Sequence, residues 1–277
     1  MFTLNCNGKI LDLNSSVVMG IINITPDSFF EGHLNKKDAE ILLMAEEMIE
    51  NGASILDIGG QSTKPGSKRI DADEELNRVI PIIKAIRKNF PETIISIDTY
   101  YSKVATKAVE SGADIVNDIS AGNFDEEMIP TVGKLQVPYV CMHMQGNPET
   151  MQLNPTYSNI TLEIIQFFNK KIEACRMAGI NDIIIDPGFG FGKTIEQNFT
   201  LLREMLYLKM LDCPILVGVS RKGMIYKTLE TTAENALNGT TVANTLALNN
   251  GASILRVHDV KEAKEAITIF NAYNKTT

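Results

Sequence analysis

The chain has 277 residues, 44% of them hydrophobic, and a formal net charge of −8. That length fits one barrel-sized domain, the acidic balance argues against a general nucleic-acid binder, and no apolar run approaches the roughly 20 residues of a membrane span. Cys6, Cys141, Cys175 and Cys213 lie far apart with no CxxC pair and read as reduced core thiols of a cytoplasmic protein.

In chain order, the start MFTLNCNGK has no basic segment leading into an apolar one, so no signal peptide is expected. Eight apolar runs then follow: VVMGIINIT, SILDIGG, TIISIDT, DIVNDIS, PYVCMHM, DIIIDPG, PILVGVS and SILRVH. They stop on or near Asn23, Asp57, Asp98, Asn117, His143, Asp186, Ser220 and the pair Arg256/His258. Stretches of helical period separate them, among them DAEILLMAEEMIE, DEELNRVIPIIKAIRK, SNITLEIIQFFNKKIEACRMA and TIEQNFTLLREMLYLKML. Pro81 inside the second predicts a kink or a late start. Residues 221–250 read as two further helical pieces. Strand then helix, eight times, predicts a single-domain α/β (β/α)8 barrel over 1–277, with its site where the strands end.

Gly52, Gly112, Gly179 and Gly251 each close a helix just before a strand, as a left-handed cap would. Three strand-to-helix loops are long enough to act as lids: TPDSFFEGHLNKK, GQSTKPGSKRIDADE and QGNPETMQLNPTYS.

The strand ends carry the chemistry. Asp98 and Asp186 each follow an apolar run, and a carboxylate so placed needs a partner. Two such acids suit a ligand edge rich in N–H donors, and Asn117 offers a donor and an acceptor to the same ring. Alternation puts Arg256 and His258 on one face, where Arg is suited to bidentate phosphate contact. GVSRKGM runs from a strand into a helix, with Ser220 as N-cap and Arg221, Lys222 and Gly223 in the first turn, an arrangement suited to an anion. DPGFGFGKT is not a phosphate loop, because Pro187 stands where the first glycine belongs. It reads as a tight turn with Phe189 and Phe191 available for stacking. No catalytic triad, HExxH motif or zinc cluster is visible, and a magnesium ion shared between Asn23 and a diphosphate would need few protein ligands.

The stretches MGIINITPDSFFEG, LDIGGQSTKPG, ISIDT, IVNDIS, CMHMQGNPETMQ, DPGFGFGKT, LVGVSRKGMI and LRVHDVKE, in this order, resemble the dihydropteroate synthase family of the folate pathway over nearly the full chain. The resemblance implies condensation of (7,8-dihydropterin-6-yl)methyl diphosphate with 4-aminobenzoate, diphosphate leaving ahead of amine attack. It implies pterin contacts from Asp98, Asn117, Asp186, Lys222, Met142 and Gly218, with Asp98 and Lys222 catalytic. It implies diphosphate contacts from Asn23, Thr63, Arg256 and His258, with Asn23 helping to bind Mg2+. For 4-aminobenzoate it implies Thr63, Pro65, Phe191, Lys222 and Gly223, with Phe29 or Phe30 packing the ring and the loops 27–32 and 61–66 closing. A homodimer through 233–250 and 260–273 is a further expectation. Alternatives are a pterin-binding methyltransferase-type domain and a catalytically silent pterin-binding barrel. The chain departs from the family where Gln61 replaces an acid, Lys64 an arginine, and Gly223 a serine. These changes are expected to weaken 4-aminobenzoate and sulfonamide binding.

Overall fold

The computed structural model describes residues 2–24, 36–61, 69–147, 150–151 and 153–275. It opens with a hairpin, β1 (Thr3–Cys6) and β2 (Lys9–Asp12), paired antiparallel around Asn7-Gly8, both at positive φ. Asn-Gly between alternating apolar residues is a strong short hairpin signal. The pattern of long apolar runs marks no element there.

The barrel follows as β3 (Val17–Asn23), α1 (Lys36–Glu50), β4 (Ala53–Gly59), α2 (Ala72–Asn89), β5 (Ile94–Asp98), α3 (Ser102–Glu110) and β6 (Ile115–Asp118). It continues with α4 (Met128–Leu135), β7 (Tyr139–Met142), α5 (Ile160–Met177), β8 (Ile183–Asp186), α6 (Ile195–Glu204) and a 3-10 helix (Met205–Leu211). It ends with β9 (Leu216–Val217), α7 (Gly223–Tyr226), α8 (Leu237–Asn249), β10 (Ile254–Val257) and α9 (Val260–Lys275). The eight strands pair in the order β8-β7-β6-β5-β4-β3-β10-β9. A parallel bridge between Ile185 and Ile215 closes the ring, with Ile185 N–H donating to the Pro214 carbonyl at 3.0 Å. This is the (β/α)8 barrel expected from the strand endings. Gly52, Gly112, Gly179 and Gly251 all take positive φ, as the recurring helix-to-strand turn requires.

Two helical expectations change. α2 starts at Ala72, capped by Asp71, whose carboxylate accepts from Glu74 N–H, so Pro81 does not delay it. Pro81 and Asn77 are both exposed, and water can solvate the carbonyl that Pro81 leaves without a donor. The two pieces predicted within 221–250 shrink to α7 and α8.

Strand alternation sorts the side chains. Leu56, Ile58, Ile95, Ile97, Val116, Ile183, Ile185 and Val257 join the outer core between strands and helices. Met19, Ile55, Ile94, Ile115, Val140, Ile184, Leu216 and Ile254 form a separate inner cluster with Leu4, Cys6, Leu11 and Leu13 of the N-terminal segment. The hairpin therefore plugs the barrel's N-terminal mouth. Lys9 Nζ pairs with Asp114 at 3.1 Å and Asn5 N–H donates to Asp182 at 2.9 Å, tying the plug down. All four cysteines are free and buried.

Candidate active site

Two residues beyond the inner apolar cluster, each strand again faces the interior. Those positions are Ile21, Asp57, Ser96, Asn117, Met142, Asp186, Gly218 and Arg256. One further step gives Asn23, Gly59 and Asp98 on β3, β4 and β5. The interior thus turns from hydrocarbon to a polar ring within one pleat, and expected residues from seven of the eight strands converge there.

Arg256 is the hub. Its Nε donates to Asp57 Oδ2 at 2.6 Å and its Nη2 to Asp98 Oδ2 at 2.7 Å. Asn117 Nδ2 donates to the same Asp57 oxygen at 3.0 Å. The predicted phosphate fork is therefore divided between two carboxylates, because the barrel brings β4, β5 and β10 around one guanidinium. These partners and Asp186 raise the Arg256 pKa against the opposing effect of burial. Burial lifts the Asp98 carboxyl above the usual carboxylate range; Arg256 pulls it down, and Asp57, Asp118 and Asp186 add to the rise. Asp57 Oδ1 is buried with no partner among the described residues.

Asp186 accepts from Gly188 N–H at 2.7 Å, and burial raises its pKa against the pull of Lys222. Lys222 comes from the β9–α7 turn. Its ammonium donates to the Phe189 carbonyl and lies 4.6 Å from the centre of the Phe191 ring. Burial lowers it to about 8, opposed by Asp186. A Cβ built on Gly218 would stand 3.9 Å from both Lys222 Nζ and Arg256 Cβ, so this glycine leaves space between the two cations. Met142, Tyr100 and Ile119 form a small apolar cluster against which Phe191 packs. Asn23 is exposed, and its Oδ1 lies 3.6 Å from a Cβ built on Gly59, which also faces Asp98.

Three expectations need correction or fall elsewhere. Ser220 does not cap a helix. Arg221 enters the left-handed region (φ 54), α7 begins at Gly223, and its N-cap is Lys222. Ser220 Oγ instead sits 3.1 Å from His258 Nδ1. Arg221 is drawn away to Asp259, donating to its two oxygens at 2.9 and 2.5 Å. The helix behind the anion site expected over Ser220–Gly223 is thus only the four residues of α7, without the expected cap. His258 follows β10, exposed, beside Ser220. Thr63, Pro65, Lys64 and Phe29/Phe30 lie outside the described residues, as do most of the loops 27–32 and 61–66.

Asp57 was visible as a strand-end acid yet received no role. Its signal is its place five residues after Gly52, matching Asn117 after Gly112 and Arg256 after Gly251. Gln61, at the start of its loop, donates to buried Glu75 at 3.1 Å and accepts from Tyr100 OH at 2.7 Å.

A family model for pterin binding enzymes matches residues 19–258. The chain is 40% identical over 267 residues to the dihydropteroate synthase of Escherichia coli strain K12, covering 96% of this chain and 94% of that protein. It is 44% identical over 274 residues to the folic acid synthesis protein fol1 of Schizosaccharomyces pombe, covering 96% of this chain and 37% of that longer protein. A solved dihydropteroate synthase of Xanthomonas albilineans with 4-aminobenzoic acid superposes with a TM-score of 0.91 at 38% identity, covering 99% of each chain. The chain belongs to the pterin-binding enzyme family and, within it, to the dihydropteroate synthases.

Proposed function

We propose that the protein condenses (7,8-dihydropterin-6-yl)methyl diphosphate with 4-aminobenzoate, giving 7,8-dihydropteroate and diphosphate. The observation that carries this reading is the polar ring itself: Asp57, Asp98, Asn117 and Asp186 around Arg256, with Lys222 above. Acceptors from Asp186 and Asn117 suit the N–H edge of a pterin, and Met142 with the space at Gly218 suits its flat face.

In the proposed reaction the methylene C–O bond breaks and its electron pair leaves with diphosphate. The ring-stabilised cation sits beside Asp98, whose carboxylate opposes the developing positive charge. The 4-aminobenzoate nitrogen then forms the new C–N bond and loses a proton. Arg256 and His258 line the side from which the diphosphate departs, with Thr63 assigned to the same task. Phe191, Pro65, Thr63, Lys222 and Gly223 are assigned to 4-aminobenzoate. The family also implies Mg2+. Asn23 fits it: one exposed amide oxygen is a hard ligand, and magnesium keeps most of its waters. Among the described residues no cluster of three His, Cys, Asp or Glu exists to hold a transition metal. When bound, Mg2+ would neutralise charge on the leaving diphosphate.

The test is a product assay with labelled 4-aminobenzoate, the dihydropterin-methyl diphosphate and Mg2+. Labelled dihydropteroate that disappears in Asp98→Asn and Lys222→Ala supports the reading. Saturable pterin binding without product would leave a silent pterin-binding barrel.

A homodimer is proposed as well. Val242 and Leu246 of α8 are about half exposed, at 54% and 47%, and Ile269 of α9, which packs beside α8, is exposed too, in the two segments 233–250 and 260–273 expected to make the contact. Leu246→Glu should then convert a dimer to a monomer in light scattering. Four free, buried cysteines accord with the proposed cytoplasmic setting, and no described helix is long and apolar enough to cross a membrane.

A further inference from the structure

The turn DPGFGFGKT, which imitates a phosphate loop, is built around its lysine. Lys193 is 2% exposed. Its Nζ donates to the carbonyls of Gly188 at 2.8 Å and Phe191 at 3.0 Å, lies 3.1 Å from His143 Nδ1, and reaches the His143 carbonyl at 3.4 Å. Burial, with Lys193 beside it, lowers the His143 imidazole to about 2, so the ring stays neutral and its Nδ1 accepts. An ammonium has three donors, and three of these acceptors point at it from two segments. The fit needs the turn pressed hard against β7: a Cβ on Gly188 (φ +69) would stand 1.9 Å from the His143 carbonyl oxygen. Tyr157 OH donates to the Gly192 carbonyl at 2.8 Å and Asn198 Oδ1 accepts from Gly190 N–H at 2.7 Å, pinning the outer side of the turn.

The carbonyls that Lys193 fixes belong to Gly188 and Phe191. Between them lies the Phe189 carbonyl that accepts from Lys222, and Phe191 supplies the ring beneath the Lys222 ammonium. A second buried cation this close to Lys222 opposes its charge, so repulsion alone gives no reason for a lysine there. We propose that Lys193 is a positioning residue for Lys222. It is an interior cross-link that holds the 188–191 turn so that a carbonyl and an aromatic face keep the Lys222 ammonium over the barrel mouth. The inference rests on the assignment of Lys222 to the pterin subsite. The charged groups facing Lys222 are Asp186 from β8, Arg256 from β10, Asp98 from β5 and Lys193 itself from the 188–194 turn. Those facing Lys193 are Asp186 and Lys222, with neutral His143.

The test is a 15N-lysine NMR titration of the Lys222 amine in the full-length protein, assigned with Lys222→Arg, in wild type, Lys193→Met and His143→Leu. Thermal unfolding and binding of a pterin analogue are measured alongside. In Lys193→Met the Lys222 midpoint should fall by about one pH unit, because the ammonium loses its carbonyl and ring partners. Pterin binding should weaken in the same variant. A midpoint that rises would mean Lys193 acts only as a neighbouring positive charge. An unchanged midpoint with a lower melting temperature would mean a merely structural role. Either result overturns the proposal. Should Lys193→Met fail to fold, His143→Leu decides: it removes one acceptor, keeps the ammonium, and should lower the midpoint by about half a unit, and no fall refutes the inference. The titration needs no turnover, so it fails or succeeds separately from the proposed reaction.

Discussion

Glu75 of α2 makes the sharpest quantitative prediction. Its Oε2 accepts from Thr99 Oγ1 and Gln61 Nε2, both at 3.1 Å, while Oε1 has no partner among the described residues. Burial, with repulsion from Asp98, pushes its carboxyl from an ordinary 4.5 up to about 8, against the lowering effect of its hydrogen bonds. Between those two values the folded chain keeps a proton that the unfolded chain has released. Stability therefore falls as pH rises through that window, by about 1.4 kcal/mol per unit. Below 4.5 both states are protonated and the penalty vanishes. At pH 7 it reaches about 3 kcal/mol as an upper figure. Glu75→Gln keeps the shape and an acceptor for Thr99 and Gln61, cannot ionise, and introduces an amide donor where Oε1 stood, at a cost of about 1 kcal/mol. The variant should be slightly less stable than wild type near pH 4.5 and about 2 kcal/mol more stable at pH 7. For a chain of this size that is about 4 °C in melting temperature. Thermal unfolding of both proteins from pH 4.5 to 8.5 measures it, and parallel curves would refute the reasoning.

Asp57→Asn leaves Arg256 with Asp98 as its charged partner and loosens Asn117; a loss of about 3 kcal/mol and weaker pterin binding are expected, read by urea unfolding and calorimetry. An unchanged urea midpoint would show that Asp57 does not hold the guanidinium. Gly188→Ala forces a Cβ into the His143 carbonyl at positive φ and should cost more than about 3 kcal/mol or prevent soluble expression. Gly223→Ser meets nothing closer than 3.6 Å and should fold normally. Combined with Lys64→Arg it is expected to lower the Michaelis constant for 4-aminobenzoate and strengthen sulfonamide inhibition, and no change in either removes the idea that these departures weaken that pocket.

Much of the barrel was legible because buried parallel strands leave a simple trace: an apolar run that stops at a polar group. Asp98, Asn117 and Asp186 were found that way, and the glycines at 52, 112, 179 and 251 marked where each strand would begin. What periodicity could not supply was pairing across the ring. Asp57 and Arg256 are 199 positions apart, and only closure of the barrel puts them 2.6 Å from each other. Arg256 therefore read as a free anion fork. Ser220 reads as a cap because helix-start chemistry is local, while the left-handed step at Arg221 depends on Asp259 and Thr240 from later elements. The burial of Glu75 and Lys193 was not legible in the sequence. A charged residue at helical or turn spacing looks solvated until the neighbouring segments are placed around it. The Asn7-Gly8 hairpin is legible from its turn chemistry alone, outside the strand-then-helix pattern of the barrel.

The arrangement of charge gives the proposed reaction its direction. Around the polar ring stand three carboxylates, Asp57, Asp98 and Asp186, against two cations, Arg256 and Lys222. The floor beneath them is hydrocarbon, sealed by the hairpin, so little water screens those charges from below. A substrate seated with its heterocycle inward would place the developing cation on the acidic side of the ring. Its leaving group would lie outward, where Arg256, His258 and a magnesium ion at Asn23 are proposed to meet it. Heterolysis is favoured when the two separating charges fall into regions of opposite sign that are already in place. Two requirements follow for this chain. The ring must stay rigid, which the shared oxygen of Asp57 provides by holding Arg256 and Asn117 together. And Lys222 must not drift inward to neutralise the carboxylates, which its tether to the Phe189 carbonyl and the Phe191 ring opposes.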